Sequence, residues 1–218
     1  MNARIARRVL SLFLAGGVLG ACLTSSIEPR YYALAGVGAK VGAGPSSGEG
    51  ARVPWPVSLV VARFDTQFVY DRLEFVYRPS ARELRFDAYR LWASKPGRML
   101  SDAVAEHLRN TGMFAAVSTR VGPKQVDFEL RGEVLAIEEI DVDKTHWKAR
   151  LAMRFELVAA SGDEVVWRHA FATEQAVRAP QPAEVVASLD AILADELLNL
   201  EKSLGRFFGT RPTAEPSK

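Results

Sequence analysis

Residues 126–134 read V-D-F-E-L-R-G-E-V, and their alternation decides the fold. Val126, Phe128 and Leu130 fall on one side, and Asp127, Glu129, Arg131 and Glu133 on the other. A period of two sends successive side chains to opposite faces, so this is a strand with one buried and one wet face. Residues 147–157, W-K-A-R-L-A-M-R-F-E-L, repeat the pattern with Leu151, Met153, Phe155 and Leu157 inward. Ser161-Gly162-Asp163 reads as a turn, and 164–177 as the partner strand. The three strands make an antiparallel meander.

N-terminal to the meander, residues 57–62, V-S-L-V-V-A, are apolar on both faces and suit a central strand. R-L-E-F-V-Y-R (72–78) and E-L-R-F-D-A-Y-R (83–90) flank a short turn and read as a hairpin. Pro96 and Gly97 start a helix whose apolar side is Met99, Leu100, Ala103, Val104, His107 and Leu108, and Gly112 closes it. Residues 114–121 return as a strand. The helix between 83–90 and 114–121 fits one right-handed crossover. After the meander, Pro182 opens a helix to Phe208, with Val185, Leu189, Ile192, Leu193, Leu197, Leu200 and Leu204 as its buried stripe. The fold class that satisfies this order is α/β (an α+β sandwich): a mixed, mostly antiparallel sheet packed with two main helices.

The N-terminus carries an address. Arg4, Arg7 and Arg8 precede the apolar run 9–19, which is far short of the ~20 residues that span a bilayer. Residues 19–22, L-G-A-C, resemble a bacterial lipobox, and Cys22 is the only cysteine. Residues 1–21 are thus a lipoprotein signal peptide, Cys22 the lipid attachment site and 22–30 a lipidated tether. The competing reading, a buried structural cysteine, does not suit a residue set against a leader. Lipid on Cys22 makes the membrane contact permanent, since stable anchoring takes more than one acyl chain. Leu23 in the next position points to the outer membrane, facing the periplasm, by resemblance to Gram-negative lipoproteins. The domain proper is 31–208, with a Gly-rich insert at 36–54 and a polar tail at 209–218 expected to be disordered.

The whole chain is +2, and removing the three leader arginines leaves 25 basic against 26 acidic residues. A near-neutral domain gives no case for nucleic acid. There is no Zn pattern, no Walker A sequence, no G-x-S-x-G elbow and no cofactor motif. His107 and His169 sit on apolar faces and read as core or core-edge residues. The acidic run Glu138, Glu139, Asp141, Asp143 lacks the EF-hand glycine and terminal glutamate and reads as a solvated loop. No metal site, cofactor or catalytic residue is assigned, and the chain does not read as an enzyme. Aromatic side chains on the hairpin are the remaining candidates. Phe75 and Phe86 read as core, whereas Tyr77, Tyr89 and Trp92 make a candidate partner surface, because Tyr and Trp add apolar area with a polar handle.

The order of motifs resembles a family. Y-Y-x-L (Tyr31, Tyr32, Leu34) is followed by V-x-R-F (Val61, Arg63, Phe64). The hairpin F-V-Y-R (75–78) with Leu84, Phe86, Tyr89 and Trp92 comes next, then T-G-M-F (111–114) and V-D-F-E-L-x-G (126–132). This is similar to the ABC-type transport auxiliary lipoproteins, to which PqiC-type lipoproteins belong. The insert 36–54 departs from that pattern. The resemblance implies a fold similar to the anticodon-binding or TolB N-terminal type. It also implies a periplasmic partner of an MCE-type protein and, through it, an ABC permease and ATPase, moving lipids or other hydrophobic molecules. A homo-oligomer stays open. A stand-alone lipoprotein that holds a lipid in its own cavity is the alternative, and a periplasmic hydrolase a third.

Overall fold

The computed structural model describes residues 28–35, 55–120 and 126–210. The leader, Cys22, the insert 36–54 and residues 211–218 lie outside the described residues.

The fold is organised by one long strand. In chain order the strands are β1 (Arg30–Tyr32), β2 (Trp55–Val61), β3 (Asp65–Thr66), β4 (Glu74–Ser80), β5 (Glu83–Trp92), β6 (Phe114–Ser118), β7 (Phe128–Asp141), β8 (Trp147–Ala159) and β9 (Glu164–Ala176). The helices are α1 (Pro96–Asn110) and α2 (Pro182–Gly209). Along one edge β7 pairs with β8 over its whole length, and β8 pairs with β9, both antiparallel. Along its other edge β7 takes β2, then β3, then β4 in succession, all parallel. The sheet therefore forks. One limb is β2 and β6, the other is β4, β5 and β1. Most paired residues are antiparallel, as the alternation requires. The meander 128–176 is as the sequence predicts, and Asp163, at φ 53, takes the left-handed position of its turn.

The predicted crossover is corrected. β6 does not lie beside β5 but pairs in parallel with β2. The free edge of β5 is taken by β1 instead, with Tyr31 opposite Leu91 and Tyr32 opposite Trp92.

Both helices begin on proline, whose missing N–H is no loss in the first turn. α2 packs on β8 and β9, and α1 on β6 and β7. They meet at His107 and Glu201, 3.4 Å apart. All seven stripe residues of α2 are buried. Each such side chain contributes ~1.5–3 kcal/mol on leaving water, so packing far outweighs helix propensity here. Trp55, Phe114 and Phe128 gather around Phe208 at the end of α2. That helix runs to Gly209 and ends on Thr210, so the polar tail starts later than the composition indicates. Phe64 lies on Gly132, where a Cβ would stand 2.5 Å from its ring. The wet face of β7–β9 carries ion pairs, among them Glu129 with Arg131 along β7 and Glu156 with Arg168 across β8 and β9.

Candidate partner surface

The β4–β5 hairpin does not keep a simple alternation. Its register passes from Phe75 opposite Asp87 to Glu74 opposite Leu91, so residues 88–90 bulge out. Asp87 holds the bulge. Its carboxylate accepts the N–H of Tyr89 at 2.8 Å, the N–H of Arg90 at 3.0 Å and the Arg90 guanidinium at 2.7 Å. These bonds hold the Asp87 carboxyl below the usual carboxylate range, against the burial that raises it.

The bulge sorts the aromatics. Trp92 is 2% exposed and stacks on Phe75 with ring centroids 4.1 Å apart. Tyr32, opposite Trp92 in the strand register, also packs on Phe75, with ring centroids 5.1 Å apart. Trp92 is therefore core, which corrects its place on the candidate surface. Phe75 is core as expected. Phe86 is not: it is 45% exposed, with the Arg72 guanidinium 3.7 Å above its ring. Tyr89, in the bulge, is 50% exposed. Tyr77 is half-buried, with the Arg90 guanidinium 5.6 Å from its ring centroid. Tyr77 and Tyr89 thus remain available, and Phe86 is exposed on the face opposite Tyr77. Sequence reasoning also passed over Tyr31, Phe68 and Leu73, all exposed. Phe68 stands in a polar stretch with no period to flag it.

The acidic run is the second correction. Glu138 and Glu139 are not in a solvated loop. They end β7, and each is 2% exposed. Glu138 accepts the Tyr70 hydroxyl at 2.9 Å and forms ion pairs with Arg78 at 3.1 Å and Arg150 at 3.3 Å. Burial, with Glu138 beside it, pushes the Tyr70 hydroxyl up to about 12. Glu139 points to the opposite face and pairs with Arg90 at 2.5 Å. Burial pushes its carboxyl up to about 7, Arg90 opposing and Asp141 adding to the rise. Asp143 is exposed, where it accepts the N–H groups of Thr145 and His146 in the β7–β8 turn. Among the described residues no group of three or more His, Cys, Asp or Glu side chains is placed to hold a metal ion.

His107 is buried between the helices and His169 half-buried on β9 between Phe155 and Trp167, as the apolar spacing predicts. Burial lowers the pKa of both. The larger clefts are open and charged. One of about 390 Å³ is lined by Arg63, Asp65, Asp71, Lys95 and Arg98, and one of about 450 Å³ by Asp141, Asp143, Lys144 and Trp147. Beneath them the core is filled by side chains from both helices and the sheet.

The model of the ABC-type transport auxiliary lipoprotein component family matches residues 39–197. The chain belongs to that family. It is an envelope lipoprotein component of a transport system. Among solved structures, a Xanthomonas campestris protein of family DUF330 aligns at TM-score 0.62 and 24% identity, over 78% of this chain and 92% of its own. An uncharacterized protein aligns at TM-score 0.62 and 16% identity, over 81% and 99%. Both are similar to this chain in fold. The PelC dodecamer of Paraburkholderia phytofirmans aligns at TM-score 0.40 and 16% identity, over 67% and 90%, too remote to bear on assembly. No curated protein matches.

Proposed function

We propose that this chain is a non-enzymatic, lipid-anchored periplasmic subunit of an MCE/ABC-type trans-envelope system. It tethers or caps the assembly at the outer membrane while lipids or other hydrophobic molecules move between the two membranes. Cys22 carries the lipid, and the β4–β5 hairpin, with Tyr77 and Tyr89, meets the MCE-type partner. The observation that carries this reading is a filled core beneath an exposed aromatic hairpin. A lipid carrier of its own needs an apolar cavity of ~300–1,000 Å³. Here the space under the hairpin is occupied by Phe75, Trp92 and Tyr32.

Co-purification tests the reading. Wild-type protein should capture an MCE-type protein, and Tyr89→Ala should weaken capture by ~30-fold, as loss of an interface anchor of about 2 kcal/mol does. Failure of the wild type to capture any MCE-type protein would refute the partnership. Unchanged capture by Tyr89→Ala would move the interface elsewhere.

A further inference from the structure

Seven large hydrophobic side chains are exposed among the described residues, and five of them, Tyr31, Phe68, Leu73, Phe86 and Tyr89, lie at one corner. Strand pairing gathers them. Tyr31 is opposite Leu91, two positions from Tyr89. The Leu73 carbonyl accepts the Trp92 N–H at 2.7 Å, next to Tyr32. Phe86 lies under Arg72, next to Leu73. Phe68 stands on the same turn and is 89% exposed.

That turn is not slack. Gln67 donates its N–H to the Val134 carbonyl at 3.0 Å. The Tyr70 hydroxyl is held by buried Glu138, and Asp71 pairs with Lys95 at 3.1 Å. The fold thus holds a phenylalanine rigidly in water. An exposed apolar cluster of this kind marks a contact with something else.

We propose that the part of this corner formed by β1 and the β3–β4 loop, presenting Tyr31, Phe68 and Leu73, rests on the lipid surface of the membrane that holds the anchor. The proposal rests on the reading of Cys22 as acylated. The chain's own length selects this occupant over a protein. Eight residues lie between Cys22 and Tyr31, a reach of at most roughly 30 Å. A domain of this size is about 40 Å across. The anchored chain therefore enters the fold at the corner that carries the exposed rings, and cannot carry that corner far from the bilayer. A tether this short makes a weak second contact effective without any high intrinsic affinity. The chemistry agrees: aromatic rings settle at headgroup level, and Arg30 and Arg72 stand at the margin of the patch, where lipid phosphates would lie. Tyr89, farther along β5, stays with the partner.

Full-length acylated protein floated with vesicles of phosphatidylethanolamine and phosphatidylglycerol tests this. Lipid consumes the only native thiol, so Phe68→Cys offers a single site for a fluorophore, and Leu198→Cys on α2 offers a comparison. Quenching by a nitroxide near the headgroup should be strong at 68, weaker when the nitroxide is at the acyl-chain end, and weak in either case at 198, as for a side chain seated at the headgroup boundary. Equal, weak quenching at both positions overturns the proposal. So does a label at 68 that is unquenched in vesicles but shifts on adding the MCE-type partner, which assigns the corner to protein. If the wild type does not float and its Cys22 thiol still labels, the anchor reading itself has failed and the proposal falls with it.

Discussion

Trp92→Ala separates core from interface at one residue. The side chain is 2% exposed and stacked on Phe75, which Tyr32 also touches. A buried tryptophan removes roughly 150–250 Å² from water. At about 25 cal/mol/Å² that is ~4–6 kcal/mol, an upper figure because the unfolded chain already hides part of the area. Truncation of such residues costs ~3–5 kcal/mol. For a domain of this length each kcal/mol lowers the melting temperature by ~2–4 °C, so a fall of roughly 10 °C is expected. Tyr89→Ala, half-exposed in the bulge, should move the melt by no more than about 2 °C. Circular dichroism melts of the two variants beside the wild type decide it, with partner capture measured in parallel. If Trp92→Ala keeps the wild-type melt and loses capture, the burial argument is wrong and Trp92 is an interface anchor after all.

Three further outcomes follow from single features. Cys22→Ser should leave an unacylated or unprocessed precursor in membrane fractionation, because a hydroxyl cannot replace the thiol in lipid transfer; normal acylation of the variant would end the lipobox reading. Glu139 has a folded pKa near 7, above its unfolded value, so the stability it gives is complete below about pH 4.5 and is lost as pH rises through 7. Glu139→Gln mimics the protonated acid and should flatten the fall of the urea midpoint between those limits, whereas an unchanged slope would assign the titration to another group. Gly97→Ala places a Cβ 2.4 Å from the Phe64 carbonyl oxygen and 2.6 Å from the Thr66 hydroxyl. The clash, ~1–3 kcal/mol, should exceed the ~1 kcal/mol that alanine gains in a helix, and a raised melting temperature would show that α1 shifts freely.

The strands and helices were legible because their periods are strong. Leu130, Met153 and Leu197 fall where a simple period of two or of 3.6 puts them, and all are buried. The far half of β7 was not legible. After the irregularity near Leu135, two adjacent acids look like solvent-facing loop. Their partners Tyr70, Arg78, Arg90 and Arg150 come from distant positions that no local pattern connects to them. The same holds for the hairpin. A bulge held by one aspartate reverses the sense of Trp92 and leaves Phe86 outside, and alternation cannot count a bulge it does not see. Tyr77 and Tyr89 were legible as aromatic candidates from composition alone. The neighbours that expose or shield them were not.

The shared edge of β7 also governs when the molecule can form. Ser58 bonds Asp127 across a separation of 69 positions, and Arg78 bonds Glu138 across 60. Ribosomes deliver β2 to β5 long before residues 128–141 exist. Until then β4 and β5 have only each other and the three-residue β1, and so small a sheet is marginal in water. β2, apolar on both faces, waits with one edge open. A chain halted anywhere before residue 141 therefore displays sticky strands without the template that would close them, the situation in which aggregation competes with folding. The protein is committed to its native form only once residues 128–141 have been made, and holding factors that bind nascent or newly exported chains should recognise 55–92 above all other segments.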